Sequence, residues 1–220
     1  MDDNIAQIRR SVAFTDPEKI LDLGCWNGET TSQYVPTGAT VVGVESNRGA
    51  SEDAHRRFGW EVVAADLNEP LPFDSEVFDV VTSNQVLEHL ADTDTFMAEA
   101  FRVLRPGGVA VISTENLASW HNIASLLMGW QAFSLTNVSR LRSGIGNPLA
   151  NLRSAEPQAA GWAHQRLFSY RGLAELATAC GFIGVQVLGA GYYPLPTAVA
   201  HLDPRHAAFI TVVGNKAAAT

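Results

Sequence analysis

Hydrophobic residues fall along the chain in short continuous runs separated by mixed, charged stretches. The runs KILDLG (19–24), TVVGVE (40–45), EVVAAD (61–66), FDVVTS (78–83) and VAVIST (109–114) are rich in β-branched residues and predict strands. Residues 4–10 predict one or two helical turns. Asn27 to Tyr34 reads as a helix start, and 50–58 as a charged helix. Residues 94–104 carry apolar side chains at 96, 97, 100, 101, 103 and 104, a helical spacing that RPGG (105–108) is expected to stop. Strand and helix alternate, which predicts a doubly wound α/β domain with a mostly parallel sheet. Such strands are buried on both faces, so their runs are continuous rather than alternating.

The regularity breaks after residue 116. A short apolar helix is predicted over 119–133, followed by a loop rich in Gly, Pro, Asn and Ser. An insertion of this size between core elements is expected to serve function, here as a lid or substrate cover over 117–165. A helix over 170–180, closed by Gly181, returns the chain to the core. The last strands are 184–189 and 207–214, linked through YYPLP (192–196) and expected to pair antiparallel. The whole chain, 1–220, reads as a single domain of seven strands.

Composition narrows the class. The 220 residues are 46% hydrophobic and 17% charged, enough for a buried core without staples. Two cysteines, Cys25 and Cys180, give neither a disulfide framework nor a zinc spacing, which suits a reducing, cytoplasmic setting. No apolar run approaches a membrane span, and MDDNIAQIRR is not a secretory leader. The net charge of −8 argues against nucleic acid as a partner. It is unevenly spread, −12 over 1–116 but +3 over 117–169, where Arg140, Arg142, Arg153 and Arg166 face only Glu156. Arginines in the insertion suit an anionic group on a substrate.

Open α/β sheets bind ligands beyond the carboxyl ends of their strands. The first such end reads Asp22-Leu23-Gly24-Cys25-Trp26-Asn27-Gly28, a turn whose glycines let the backbone approach a ligand. Glu45 ends the second strand, where a carboxylate can hold two ribose hydroxyls. Asp66-Leu67 ends the third, a pairing that suits an adenine. A nicotinamide dehydrogenase would show G-x-G-x-x-G at the first turn. The spacing here is Gly24-x-x-x-Gly28, with Trp26 in the second glycine's place.

ILDLGCWNGETT, VVGVES, VVAADLNEPLPF, FDVVTSNQVLEHL and RVLRPGGVAVIST together resemble the successive motifs of class I S-adenosylmethionine-dependent methyltransferases. The likeness is to the bacterial small-molecule group called type 11, over residues 19–116 and again over 164–182. It implies a Rossmann-like sheet in the order 3-2-1-4-5-7-6 and S-adenosyl-L-methionine as cofactor, with S-adenosyl-L-homocysteine as product. It implies that Asp22, Gly24, Cys25 and Gly28 hold the methionine end. Glu45 and Ser46 would hold the ribose, and Asp66 and Leu67 would flank the adenine. Ser83, Asn84 and Gln85 would lie near the transferable methyl. The family loop reads GCGxG, and Trp26 departs from it.

Methyl transfer needs an aligned nucleophile and, at oxygen, a base. Of six histidines, His164 and His89 are the candidate bases, while His55, His201 and His206 read as surface or structural. His164 and Arg166 would share one side of an extended segment. Arg166, His121 and Trp130 are candidate substrate contacts. No metal is expected, because SNQVLEH lacks the acidic cluster of the metal-assisted catechol enzymes of this fold. The expected reaction is O-methylation of a small molecule with an apolar or aromatic body and an anionic group. A binding module without turnover and, behind it, a nicotinamide oxidoreductase are the alternatives. The apolar insertion could also serve a homodimer.

Overall fold

The structure, a computed structural model, describes residues 2–139, 141, 144–150, 163–193 and 198–219. Arg140, Arg142, Arg153, Trp162 and the PLP of the YYPLP run lie outside the described residues. Seven strands form one sheet in the order β3-β2-β1-β4-β5-β7-β6. They are β1 (Lys19–Leu23), β2 (Thr40–Val44), β3 (Glu61–Val63), β4 (Phe78–Asn84), β5 (Leu104–Glu115), β6 (Ile183–Ala190) and β7 (Phe209–Asn215). The first five pair in parallel, and β7 runs antiparallel between β5 and β6. The strand order reverses between β1 and β4, so the carboxyl ends of those two strands open onto a crevice.

One face of the sheet packs against α3 (Thr93–Val103) and α5 (Tyr170–Ala179), around Phe96, Met97, Ala100, Leu173 and Ala177. The other face carries α1 (Asp2–Ala13), whose Ile5, Ile8 and Val12 repeat at helical spacing onto Ile20, Val80 and Val111. Polar groups also tie α1 to the sheet. Asn4 Nδ2 donates to Asn84 Oδ1 at 2.9 Å, while Asn4 Oδ1 accepts from Ser113 Oγ at 2.9 Å and Thr211 Oγ1 at 3.4 Å. A helix longer than the expected turns therefore forms, because its buried face finds both apolar and polar partners along its length. Asn47 caps α2 (Arg48–Phe58), and Asp92 and Ser169 cap α3 and α5 through their side-chain oxygens.

Three local expectations are corrected. The helix expected from Asn27 is a run of turns with a 3-10 segment, Thr31–Gln33. Pro36 disfavours helical backbone at Val35, and the side chains of Thr31 and Tyr34 are drawn inward to Asp22. RPGG does not separate helix from strand, since β5 begins at Leu104. Five steps along β5, from Leu104 to Val109, lie against two along β4, from Phe78 to Val80. The bulge is closed by Gly107 N–H on Lys216 O at 3.0 Å and Lys216 N–H on Gly108 O at 2.9 Å. Finally, β3 stops at Val63, because β2 offers it no pairing residue beyond Val44.

The apolar helix of the insertion, α4 (Trp120–Leu127), ends short of Phe133 at Gly129, whose φ of +73° turns the chain. A 3-10 turn at Phe133–Leu135 follows. Buried Asn122 fastens the insertion to the body, donating to Asn116 O and Ser134 Oγ at 2.9 Å each. Leu126, Leu127 and Met128 are exposed rather than packed on the body. A short helix, α6 (Ala198–Leu202), precedes β7. Among the described residues no helix is long and apolar enough to cross a membrane.

Candidate active site

Two groups of side chains gather at the carboxyl ends of the parallel strands. The first surrounds the turn after β1. Gly24 and Gly28 stand at φ +79° and +76°, in the left-handed region that glycine occupies freely. A Cβ at Gly24 would come within 2.4 Å of Val86, and one at Gly28 within 2.8 Å of the Phe58 ring. Asp22 does not face this turn. Its buried carboxylate accepts from Thr31 Oγ1 at 2.6 Å, Thr82 Oγ1 at 2.6 Å and Tyr34 Oη at 2.9 Å. Burial pushes its pKa up, against the downward pull of the hydroxyls. Asp22 thus anchors the turn from below. Cys25 is buried against Gly43, and burial, with the charges of Asp22 and Glu45, holds its thiol protonated.

Glu45 is half-buried at the rim. Its Oε2 accepts the Trp26 N–H at 3.1 Å and its Oε1 the Asn47 N–H at 2.7 Å, which leaves each oxygen a further lone pair. Ser46 beside it is exposed. Asp66 is exposed and bonds Asn68, whose Oδ1 takes the N–H groups of Ala91 and Asp92. Leu67 packs against the core edge. Ser83 is buried, its hydroxyl on Leu23 O at 2.9 Å, and Asn84 is engaged by Asn4. Gln85 stands at φ +58°, and its buried Nε2 has no hydrogen-bond partner among the described residues.

The second group lies beyond β4 and β5. His89 and His164 meet edge to face with centroids 4.8 Å apart. Each has Nδ1 beside a backbone carbonyl, Ala163 O at 3.3 Å and Ser134 O at 2.5 Å. With Nδ1 donating, Nε2 of each ring keeps its lone pair. Burial, and then His164, lower the pKa of His89. Burial lowers that of His121, which packs against Phe133 and Tyr193. Arg166 is not brought to this group. It lies exposed, its charge reaching Asp92, while His164 turns inward. Trp130 follows α4 with its N–H on Ser125 O.

Two carboxyl groups here escaped the sequence reading. Glu88 is 1% exposed and accepts from Thr114 Oγ1 at 2.8 Å, and burial pushes its pKa up to about 8. Glu115, the last residue of β5, has its Oε2 buried without a hydrogen-bond partner among the described residues, 3.8 Å from His164 Nδ1. The rule that singled out Glu45 and Asp66, an acid at a strand's carboxyl end, also points to Glu115. A further network joins α4 to the β6–β7 connection. Trp120 Nε1 donates to Tyr192 Oη, Tyr192 Oη to Asp203 Oδ2, and His206 lies on the same carboxylate and stacks on Trp120.

Residues 21–112 match the family described as Methyltransferase domain, of type 11. The match runs from β1 into β5. The chain is 29% identical over 150 residues to a demethylmenaquinone methyltransferase of Streptomyces avermitilis, a match covering 68% of this chain and 64% of the relative. It is 36% identical over 102 residues to a ubiquinone biosynthesis O-methyltransferase of Mesorhizobium japonicum, covering 44% of this chain and 41% of that relative. The matches thus span less than two thirds of these relatives' length. In fold it is similar to an S-adenosylmethionine-dependent methyltransferase of Thermotoga maritima, described as a possible histamine N-methyltransferase. The TM-score is 0.64 at 20% identity, over 98% of this chain and 90% of that one. The family implies S-adenosylmethionine as cofactor. The site fits it on three observations: a turn whose Gly24 and Gly28 have no room for side chains, a rim carboxylate with spare lone pairs, and the Gln85 amide, without a partner among the described residues and next in sequence to the Val86 that Gly24 faces.

Proposed function

We propose that this methyltransferase-fold protein catalyses methyl transfer from S-adenosylmethionine to oxygen of a small-molecule acceptor. The observation that carries the reading is that Gly24 of the glycine turn faces Val86, whose carbonyl takes the His89 N–H and so leads to a half-buried cluster of His89, His164 and Glu115. The bound cofactor supplies an electrophilic methyl on a sulfonium. Glu45 receives the ribose hydroxyls, Asp66 and Leu67 border the adenine, and Gln85 Nε2 donates to the methionine end. The insertion over 117–165 covers the acceptor and excludes water, with His121 and Trp130 as its contacts. The acceptor's proton leaves through the cluster. The small-molecule chemistry of the demethylmenaquinone and ubiquinone relatives supports this choice over a macromolecular acceptor.

A binding-only role would rest on Trp26 closing the cofactor turn. Trp26 instead keeps the left-handed backbone of a glycine, at φ +49°, with the side chain 42% exposed. Calorimetric titration with S-adenosylhomocysteine, with NAD(H) in parallel, tests the cofactor. Micromolar binding of the first ligand alone, weakened by Glu45→Ala, is the expected result. Labelled methyl appearing in acceptors from a phenol and hydroxy-acid panel tests turnover. Binding of NAD(H) alone would overturn the reading.

A further inference from the structure

Within the cluster beyond β4 and β5, most polar atoms are already engaged. His89 Nδ1 and His164 Nδ1 lie on backbone carbonyls, and Glu88 Oε2 takes the Thr114 hydroxyl. Among the buried side-chain atoms here Glu115 Oε2 is the exception: it has no hydrogen-bond partner among the described residues. A buried acceptor left unmade costs about 1–3 kcal/mol, more if charged, so such an atom in a ligand site marks where a donor of the ligand belongs. Its position fits that role, since Glu115 ends β5 next to β4, whose end carries Gln85.

The electrostatics of the space select among donors. Burial lowers the pKa of His89 and of His121, so both rings stand neutral at pH 7. Glu88 is pushed up to about 8 and is largely protonated there. The charge of Glu115 reaches Glu88, His89 and His121 alike. Arg166 lies exposed, its charge reaching Asp92. A phenolate or carboxylate brought against Glu115 would meet like charge, with the His164 ring 3.8 Å from Glu115 Oε2 beside it.

We infer that Glu115 is a catalytic residue that receives the acceptor's reacting hydroxyl as a neutral O–H, and that the site therefore takes un-ionised phenols, enols or alcohols rather than their anions at the reacting position. This rests on the methyl-transfer reading. As the acceptor oxygen forms its new bond to carbon, its O–H bond breaks towards Glu115, which takes the proton, and the electron pair of the C–S bond returns to sulfur. His164, 3.8 Å from the same oxygen, and His89 wall the carboxylate in. The anionic group that the arginine-rich insertion suggested then belongs elsewhere on the acceptor, away from the reacting atom.

The test is binding of 4-nitrophenol, whose absorbance distinguishes phenol from phenolate, to protein saturated with S-adenosylhomocysteine. The wild type is expected to bind the phenol form, with affinity falling as pH rises through the probe's own ionisation. Glu115→Gln is expected to reverse that dependence, because a carboxamide can donate to phenolate, and to weaken phenol binding about tenfold. Glu115→Asp serves as a second variant that keeps the charge and withdraws it. S-adenosylhomocysteine affinity and melting temperature, unchanged in either variant, show that the fold and cofactor site persist. The same pH dependence in wild type and Glu115→Gln, or no probe binding by the loaded wild type, would overturn the inference and leave the methyl-transfer reading standing. Failure of wild type to bind S-adenosylhomocysteine would remove both.

Discussion

The backbone N–H of Trp26 donates to Glu45 Oε2 across 3.1 Å, so the residue that replaces a family glycine is tied to the carboxylate that holds the ribose in the proposed reaction. The tie is made by the backbone and does not depend on the indole. Trp26 sits at φ +49°, where a side chain costs about 1–2 kcal/mol relative to glycine. Trp26→Gly should therefore keep the turn. Melting temperature should stay level or rise, because relief of the left-handed backbone offsets the modest packing of a side chain 42% exposed. A fall worth more than about 2 kcal/mol in urea titration would show that the indole is a packing residue.

Gly24 faces Val86 at the junction of β1 and β4. Gly24→Ala meets both a φ of +79° and a contact at 2.4 Å, and should cost about 2 kcal/mol or more. Adding Val86→Ala should recover part of that loss, since it removes the contact and leaves the backbone cost. A double-mutant cycle by urea denaturation measures the coupling. Strict additivity would mean that the contact relaxes freely.

Asp22 supports the cofactor turn without touching it. Asp22→Ala leaves the hydroxyls of Thr31, Tyr34 and Thr82 without their shared acceptor and should destabilise by about 3 kcal/mol. Asp22→Asn, which retains an acceptor oxygen, should lose less. S-adenosylhomocysteine affinity should fall in both variants through the turn, in the same order as stability. An affinity loss in Asp22→Asn with full stability would place the carboxylate in direct contact with ligand.

Glu88 gives the fold a pH signature. Its folded pKa of about 8 lies above the usual 4.5, so the folded state binds its proton more tightly than the unfolded state. The stabilisation it contributes is complete below about pH 4.5 and is lost as pH rises through 8. Glu88→Gln, which keeps an oxygen for Thr114 Oγ1, should flatten stability against pH in that window. Urea midpoints at intervals from pH 5 to 9 would check it; an unchanged slope would mean that Glu88 ionises normally.

The strands were legible because they are dense apolar runs, most of them closed by a glycine or an acid, and the sheet order followed from the motif resemblance. The Gly24–Gly28 turn could be read because its left-handed backbone favours glycine at both ends. Less legible was whatever tertiary contacts decide. Thr31 and Tyr34 look like helix residues until Asp22 draws them inward. RPGG looks like a stop until the strand bulges around it and Lys216 closes the bulge. Glu115 has no local mark beyond ending a strand, and its significance lies in what does not bond to it. His164 and Arg166, two apart, share a side only if the segment is straight, and Gln165 instead pins it with its N–H on Glu88 O.

The ties of Asn4 have a consequence for how the protein is made. Its partners in the sheet lie as far as 207 residues along the chain. The strand that holds the most distant one, β7, is made after β5 and β6, yet it inserts between them. Until it arrives, the apolar stripe of Ile5, Ile8 and Val12 can have only part of its final cover. Helix α1 is thus made well before it is locked, and the nascent chain carries an adhesive segment until β7 is made. Co-translational chaperone capture of this protein should begin at α1 and end with β7.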